Sequence, residues 1–123
     1  MSETSGVGQP QGMLLNEFGE RLHAAFGDMA YHVGSSLSGN TWRDVDVRLL
    51  LDDDVWEKME LGDPKDPHQN RKWRALCIVF SEYGRHTTGL PIDFQLQQRT
   101  YANVTYRSEI RSALMVVNRE EAR

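Results

Sequence analysis

The sequence predicts a small α+β domain, a mixed β-sheet with helices packed on one face. Three observations predict it. Two runs alternate apolar and polar residues as strands do, Arg43–Leu51 and Leu90–Gln97. Two others repeat apolar residues at helical spacing, residues 13–26 and 69–84. The elements follow as helix, strand, strand, helix, helix, strand, helix, without the regular alternation of a repeated βαβ fold.

Taken in order, residues 1–12 (MSETSGVGQPQG) are small and polar with three glycines and a proline, and read as a disordered tail before a domain over 13–123. Leu15, Phe18, Leu22, Ala25 and Phe26 place one amphipathic face on a helix over 13–26, which Gly27-Asp28 ends. Met29 to Val33 is a short strand running into Gly34-Ser35-Ser36, and Ser36 to Trp42 a loop or one helical turn. The next strand, Arg43 to Leu51, turns Val45, Val47, Leu49 and Leu51 to one side and Asp44, Asp46 and Arg48 to the other. Asp54 and Glu57 have capping-box spacing for a short helix ending near Leu61. A loop through Gly62-Asp63-Pro64-Lys65-Asp66-Pro67 follows. Trp73, Leu76, Cys77, Phe80 and Tyr83 mark the second long helix. The strand that follows alternates Leu90, Ile92, Phe94 and Leu96 with Pro91, Asp93, Gln95 and Gln97, Pro91 putting its start at an edge or a ladder end. Tyr106, Ile110, Leu114 and Val117 predict a final helix near 106–118.

The bulk numbers bound the function. A chain of 123 residues holds one modest core. It has no apolar run of the ~20 residues a membrane span requires, and no secretory signal, so no membrane partner is expected. One cysteine, Cys77, excludes an internal disulfide and points to a reducing cytoplasm. The net charge of −4 conceals an asymmetry: residues 1–70 carry 5 Lys+Arg against 13 Asp+Glu, and residues 71–123 carry 9 against 5. An acidic half suited to cations and a basic half suited to an anionic substrate fit this distribution, whereas a net acidic chain is no bulk nucleic-acid clamp.

The chemistry is carried by Asp44 and Asp46, one residue apart on one strand face, ten residues after the small pair Gly34-Ser35. The bland reading is an exposed polar strand face with Arg43 and Arg48. Other owners of an Asp-x-Asp fit poorly. A haloacid-dehalogenase phosphatase carries its apolar strand before the pair, a glycosyltransferase needs about twice this length, and a calcium loop of the EF-hand kind ends in a Glu that is missing. Asp52-Asp53-Asp54 reads as a helix cap and Cys77 as core. His32 reads as a pocket residue or a satisfied strand histidine, and His68, Arg85 and His86 as loop surface. The tryptophans read as packing, with Trp42 alone able to stack on a base.

The combination His32-Val33-Gly34-Ser35, then Asp44-Val45-Asp46-Val47, then Ile92-Asp93-Phe94 resembles the nucleotidyltransferases of the DNA polymerase β type over residues 13–97. The resemblance implies the fold of that superfamily and transfer of a nucleoside monophosphate from an NTP such as ATP to a hydroxyl on a small molecule, a protein or an RNA end. It implies Asp44, Asp46 and Asp93 as catalytic residues and ligands of Mg²⁺ or Mn²⁺, and Gly34, Ser35 and Ser36 as the nucleotide-binding turn. Hard oxygen donors suit those ions rather than zinc. The turn lacks the arginine common in small antitoxin members, and Arg43 stands where many members carry serine. With so few residues after Asp93, the helical domain with which larger members grip the base is not expected here. A protein partner or a second copy is the expected substitute, and a nucleotide-binding or regulatory module without turnover the alternative function.

Overall fold

The computed structural model describes residues 6–39 and 43–116. It is an α+β fold around a four-stranded mixed sheet. Helix α1 (Gln11–Phe26) buries Leu15, Phe18 and Leu22, the stripe its apolar spacing predicts. Strand β1 (Ala30–Val33) leads through a single 3₁₀ turn at Ser35–Leu37 toward β2 (Val45–Leu51). A short α2 (Asp53–Lys58), a 3₁₀ turn at Pro67–Gln69 and the long α3 (Arg71–Thr88) bring the chain back to β3 (Ile92–Gln98). Helix α4 (Arg99–Thr105) and a two-residue β4 (Ser112–Ala113) complete the order. Trp42 and Val117 lie outside the described residues. Of the expected tail, residues 1–5 also lie outside them, while the Gly6 N–H donates to the Ser36 carbonyl and Val7 is buried in the core.

The strands lie in the order β3-β2-β1-β4. The β2–β3 pair is parallel because α2 and α3 form the crossover between them, and the β1–β2 and β1–β4 pairs are antiparallel. Alternation along β2 and β3 is as the sequence predicts. Val45, Val47, Leu49, Ile92, Phe94 and Leu96 are all fully buried against α1 and α3. Each such side chain contributes about 1.5–3 kcal/mol on leaving water. The second face of the sheet is left with Asp46, Arg48, Asp93 and Gln95.

Helix α3 does more than cover the core. Trp73, Cys77 and Ser81 recur every four residues and so share one stripe, which runs along the outer edge of β3. Trp73 Nε1 donates to the Leu96 carbonyl at 2.8 Å, and the Phe94 N–H donates to Ser81 Oγ at 2.9 Å. The Leu96 N–H faces the Cys77 thiol, whose pKa burial pushes up to about 11. An edge strand that would present bare backbone is sealed by side chains. At Gly84 on the same helix a Cβ would fall 2.8 Å from the Phe18 ring and 3.0 Å from Ile92, so only glycine allows this approach. The helix extends to Thr88, and Arg85 and His86 therefore sit on its last turn rather than in a loop.

Two further sequence expectations are corrected. The capping box from Asp54 to Glu57 does not form: the N-cap is Asp52, with no side-chain cap bond. The aspartates serve a distant partner instead. Asp53 accepts from both the backbone N–H and the hydroxyl of Thr100, and Arg99 reaches Asp28 at 2.6 Å and Asp52 at 3.3 Å. The helix predicted over 106–118 does not form among the described residues: α4 ends at Thr105, and a turn and β4 follow. Arg111 donates to Asn103 Oδ1 and to the Ala102 carbonyl, which folds the chain back, and the Leu114 N–H donates to the Ala30 carbonyl as β4 joins the sheet. Among the described residues no helix is long and apolar enough to cross a membrane.

Candidate metal centre

The open sheet face assembles the three aspartates. Parallel register sets Asp46 directly beside Asp93, and Asp44, just before β2, faces the same way by alternation. One carboxylate oxygen from each of Asp44, Asp46 and Asp93 lies within 4.8 Å of the others. Asp44 is exposed, while the Asp46 and Asp93 side chains are half-buried. Three oxygen donors at such spacing could hold a metal ion, and hard oxygen ligands suit ions such as Mg²⁺ or Mn²⁺.

Gly34 is placed by the neighbouring strand. Val33 pairs with Asp46 across β1–β2, so the next residue leaves the sheet against the Asp46 carboxylate. A Cβ on Gly34 would overlap that carboxylate, and φ of +83° places the residue where side chains are strained. The turn is thus a cradle that only glycine leaves open. Ser35 is exposed at its start. Ser36 is not brought to the open side: it is fully buried, 2.7 Å from Nε2 of buried His32. His32 is accordingly a satisfied strand histidine rather than a pocket residue, and burial lowers its pKa.

Arg48 lies on the same face with its side chain only 14 % exposed. Its guanidinium donates to the Asp93 carbonyl at 2.7 Å and to the Val47 carbonyl at 3.2 Å. It also stands 3.8 Å from Asp46 Oδ1 and 3.7 Å from Asp93 Oδ2. Burial raises the Asp46 pKa most, Arg48 opposes the rise, and the charges of Asp93 and Asp44 add to it. A carboxylate whose ionised form is disfavoured gains most from a cation.

A groove of about 490 Å³ opens beside Asp93, between α3 and β3, lined among others by His68, Arg74, Ile78, Glu82 and Arg85. Sequence periodicity did not reveal it, because it depends on how α3 lies against the β3 edge. The one available signal was the surplus of arginine and lysine after residue 70. Compared with known proteins, the chain matches no family model, no curated protein and no solved structure.

Proposed function

We propose that this protein is a metal-dependent nucleotidyltransferase that moves a nucleoside monophosphate from an NTP to a hydroxyl acceptor. The observation that carries the reading is the convergence of Asp44, Asp46 and Asp93 within 4.8 Å beside the Gly34 turn. When bound, Mg²⁺ or Mn²⁺ supplies charge neutralisation on the phosphates, the main demand of phosphoryl transfer.

The chain's own residues supply the rest. Asp44 and Asp46 hold the cation, and Gly34 lets the triphosphate approach the backbone, where the exposed Ser35 hydroxyl donates a hydrogen bond to it. Asp93 orients the acceptor hydroxyl and takes its proton. The acceptor oxygen bonds to the α-phosphorus, the bond from that phosphorus to the β-bridging oxygen breaks, and pyrophosphate leaves with the electron pair. The groove beside Asp93 gives the acceptor room on the side away from the Gly34 turn, as in-line displacement requires. A cytoplasmic setting, where NTPs are supplied, goes with this reading.

The test is transfer of α-labelled NMP to candidate small-molecule, protein and RNA acceptors with Mg²⁺ present. The wild-type protein releases pyrophosphate and labels an acceptor, and Asp46→Asn does neither. Undiminished metal-dependent turnover by Asp46→Asn would contradict the assignment.

A further inference from the structure

Arg48 differs from a surface cation that pairs with whatever passes. Two backbone carbonyls, of Asp93 and Val47, hold its guanidinium, and the side chain is largely buried. Its distances of 3.8 and 3.7 Å to the Asp46 and Asp93 carboxylates are longer than hydrogen bonds. One arm of the fork, Nη1, is thus committed to backbone, while the other, Nη2, stands between the two acids. Three carboxylates and one guanidinium leave a deficit of two positive charges, which a single divalent cation fills.

Resting on the metal-centre reading above, we infer that Arg48 is a resident counter-cation that limits the nucleotide-free protein to one divalent ion, held on the Asp44–Asp46 side. The Asp46–Asp93 side is occupied by the guanidinium. Two-metal phosphoryl transfer requires ions about 3.5–4 Å apart. Here the second ion gains entry only when the triphosphate brings its own negative charge. Arg48 therefore acts as a positioning residue that orders the loading of the site: one cation first, the second together with nucleotide.

The test is a Mn²⁺ titration of the full chain without nucleotide, followed by the electron paramagnetic resonance signal of free Mn²⁺. Wild type binds one ion per chain. Arg48→Gln, which removes the charge but keeps an amide donor, binds two, the first about tenfold more tightly, the size of effect one adjacent unit charge has on a neighbouring ionic equilibrium. Identical stoichiometry with affinities within about twofold overturns the inference while leaving the metal centre standing. Failure of both proteins to bind Mn²⁺ removes the metal centre itself, and the inference with it. A wild-type crystal soaked in MnCl₂ needs no variant to fold. One anomalous peak beside Asp44 and Asp46, with the guanidinium still against Asp93, is expected; a peak between Asp46 and Asp93 overturns the inference.

Discussion

The Asp46 carboxylate occupies the space that a Cβ on Gly34 would need. Turn and acid therefore cannot be altered independently. Gly34→Ala must both adopt a left-handed φ and displace the carboxylate, so a loss of about 1–3 kcal/mol in urea unfolding is expected. Mn²⁺ affinity should fall with it. A variant of full stability and unchanged affinity would show that the turn does not support the acid.

Asp46→Asn separates stability from activity. Burial raises the folded-state pKa of Asp46 above its ordinary 3.8. Between the two values the folded protein holds more protons than the unfolded chain, so stability declines as pH rises through that window. Above the window the ionised carboxylate is a standing cost that asparagine lacks. The variant should therefore melt higher than wild type at pH 7 without metal, the gap closing below pH 3.8, while transfer falls by about 10²–10³-fold or more, as when one preorganised charge stabiliser is removed. Differential scanning fluorimetry across pH, beside the labelled-transfer assay, checks both.

Divalent cation should reverse that cost in the wild type. Binding to the native state alone stabilises by about 2.7 kcal/mol at a hundredfold excess over Kd. Mg²⁺ or Mn²⁺ should raise the wild-type melting temperature, EDTA should undo it, and Asp46→Asn should show no shift. Equal shifts in the two proteins would place the bound ion elsewhere.

The buried His32–Ser36 pair gives a stability prediction away from the acids. Ser36→Ala leaves His32 Nε2 without its partner at 2.7 Å, at a cost of about 1–3 kcal/mol. Burial lowers the His32 pKa below 6.5, so the unfolded chain takes up a proton before the folded one does. The stability this provides is fully present above pH 6.5 and is lost as pH falls from there through the lowered folded value. Urea unfolding at several pH values should show that decline, and His32→Gln should remove it.

How much of this was readable beforehand depended on the range of the interactions. Strands β2 and β3 and helices α1 and α3 were legible because each carries its own period and packs the face that period marks. Asp44 and Asp46 followed, since alternation decides which side of a strand an acid takes; Asp93 was joined to them by the family resemblance, because alternation does not say which strands pair. Ser35 and Ser36 look alike in sequence, and only the β1–turn geometry sends one outward and the other to His32. The C-terminal segment failed for a similar reason. Tyr106, Ile110 and Leu114 are spaced like a helix, but Arg111 ties back to Asn103 and Ala102, and pairing with β1 overrides local preference. The acidic run does open α2, with Asp52 at the N-cap, but its side-chain partners, Arg99 and Thr100, are 47 residues away and leave no local pattern.

Ser81→Ala probes the sealed edge of β3. It removes the acceptor for the Phe94 N–H in a buried setting, so about 1–3 kcal/mol should be lost in urea unfolding. With the edge less protected, size-exclusion chromatography should show self-association on mild heating that the wild type lacks. Unchanged stability and a strictly monodisperse profile would mean that neighbouring groups on α3 suffice.

The parallel pairing of β2 with β3 has a kinetic consequence. Arg48 and the Asp93 it contacts are 45 residues apart, and no local hairpin brings them together. Closing that loop is an entropically costly, high-contact-order event. Until it occurs, the acids on β2 and the acid on β3 belong to unconnected parts of a fluctuating chain. Cation capture at the proposed metal centre would require that docking, and a stopped-flow Mn²⁺ signal would time the joining of β3 to β2 rather than the start of folding.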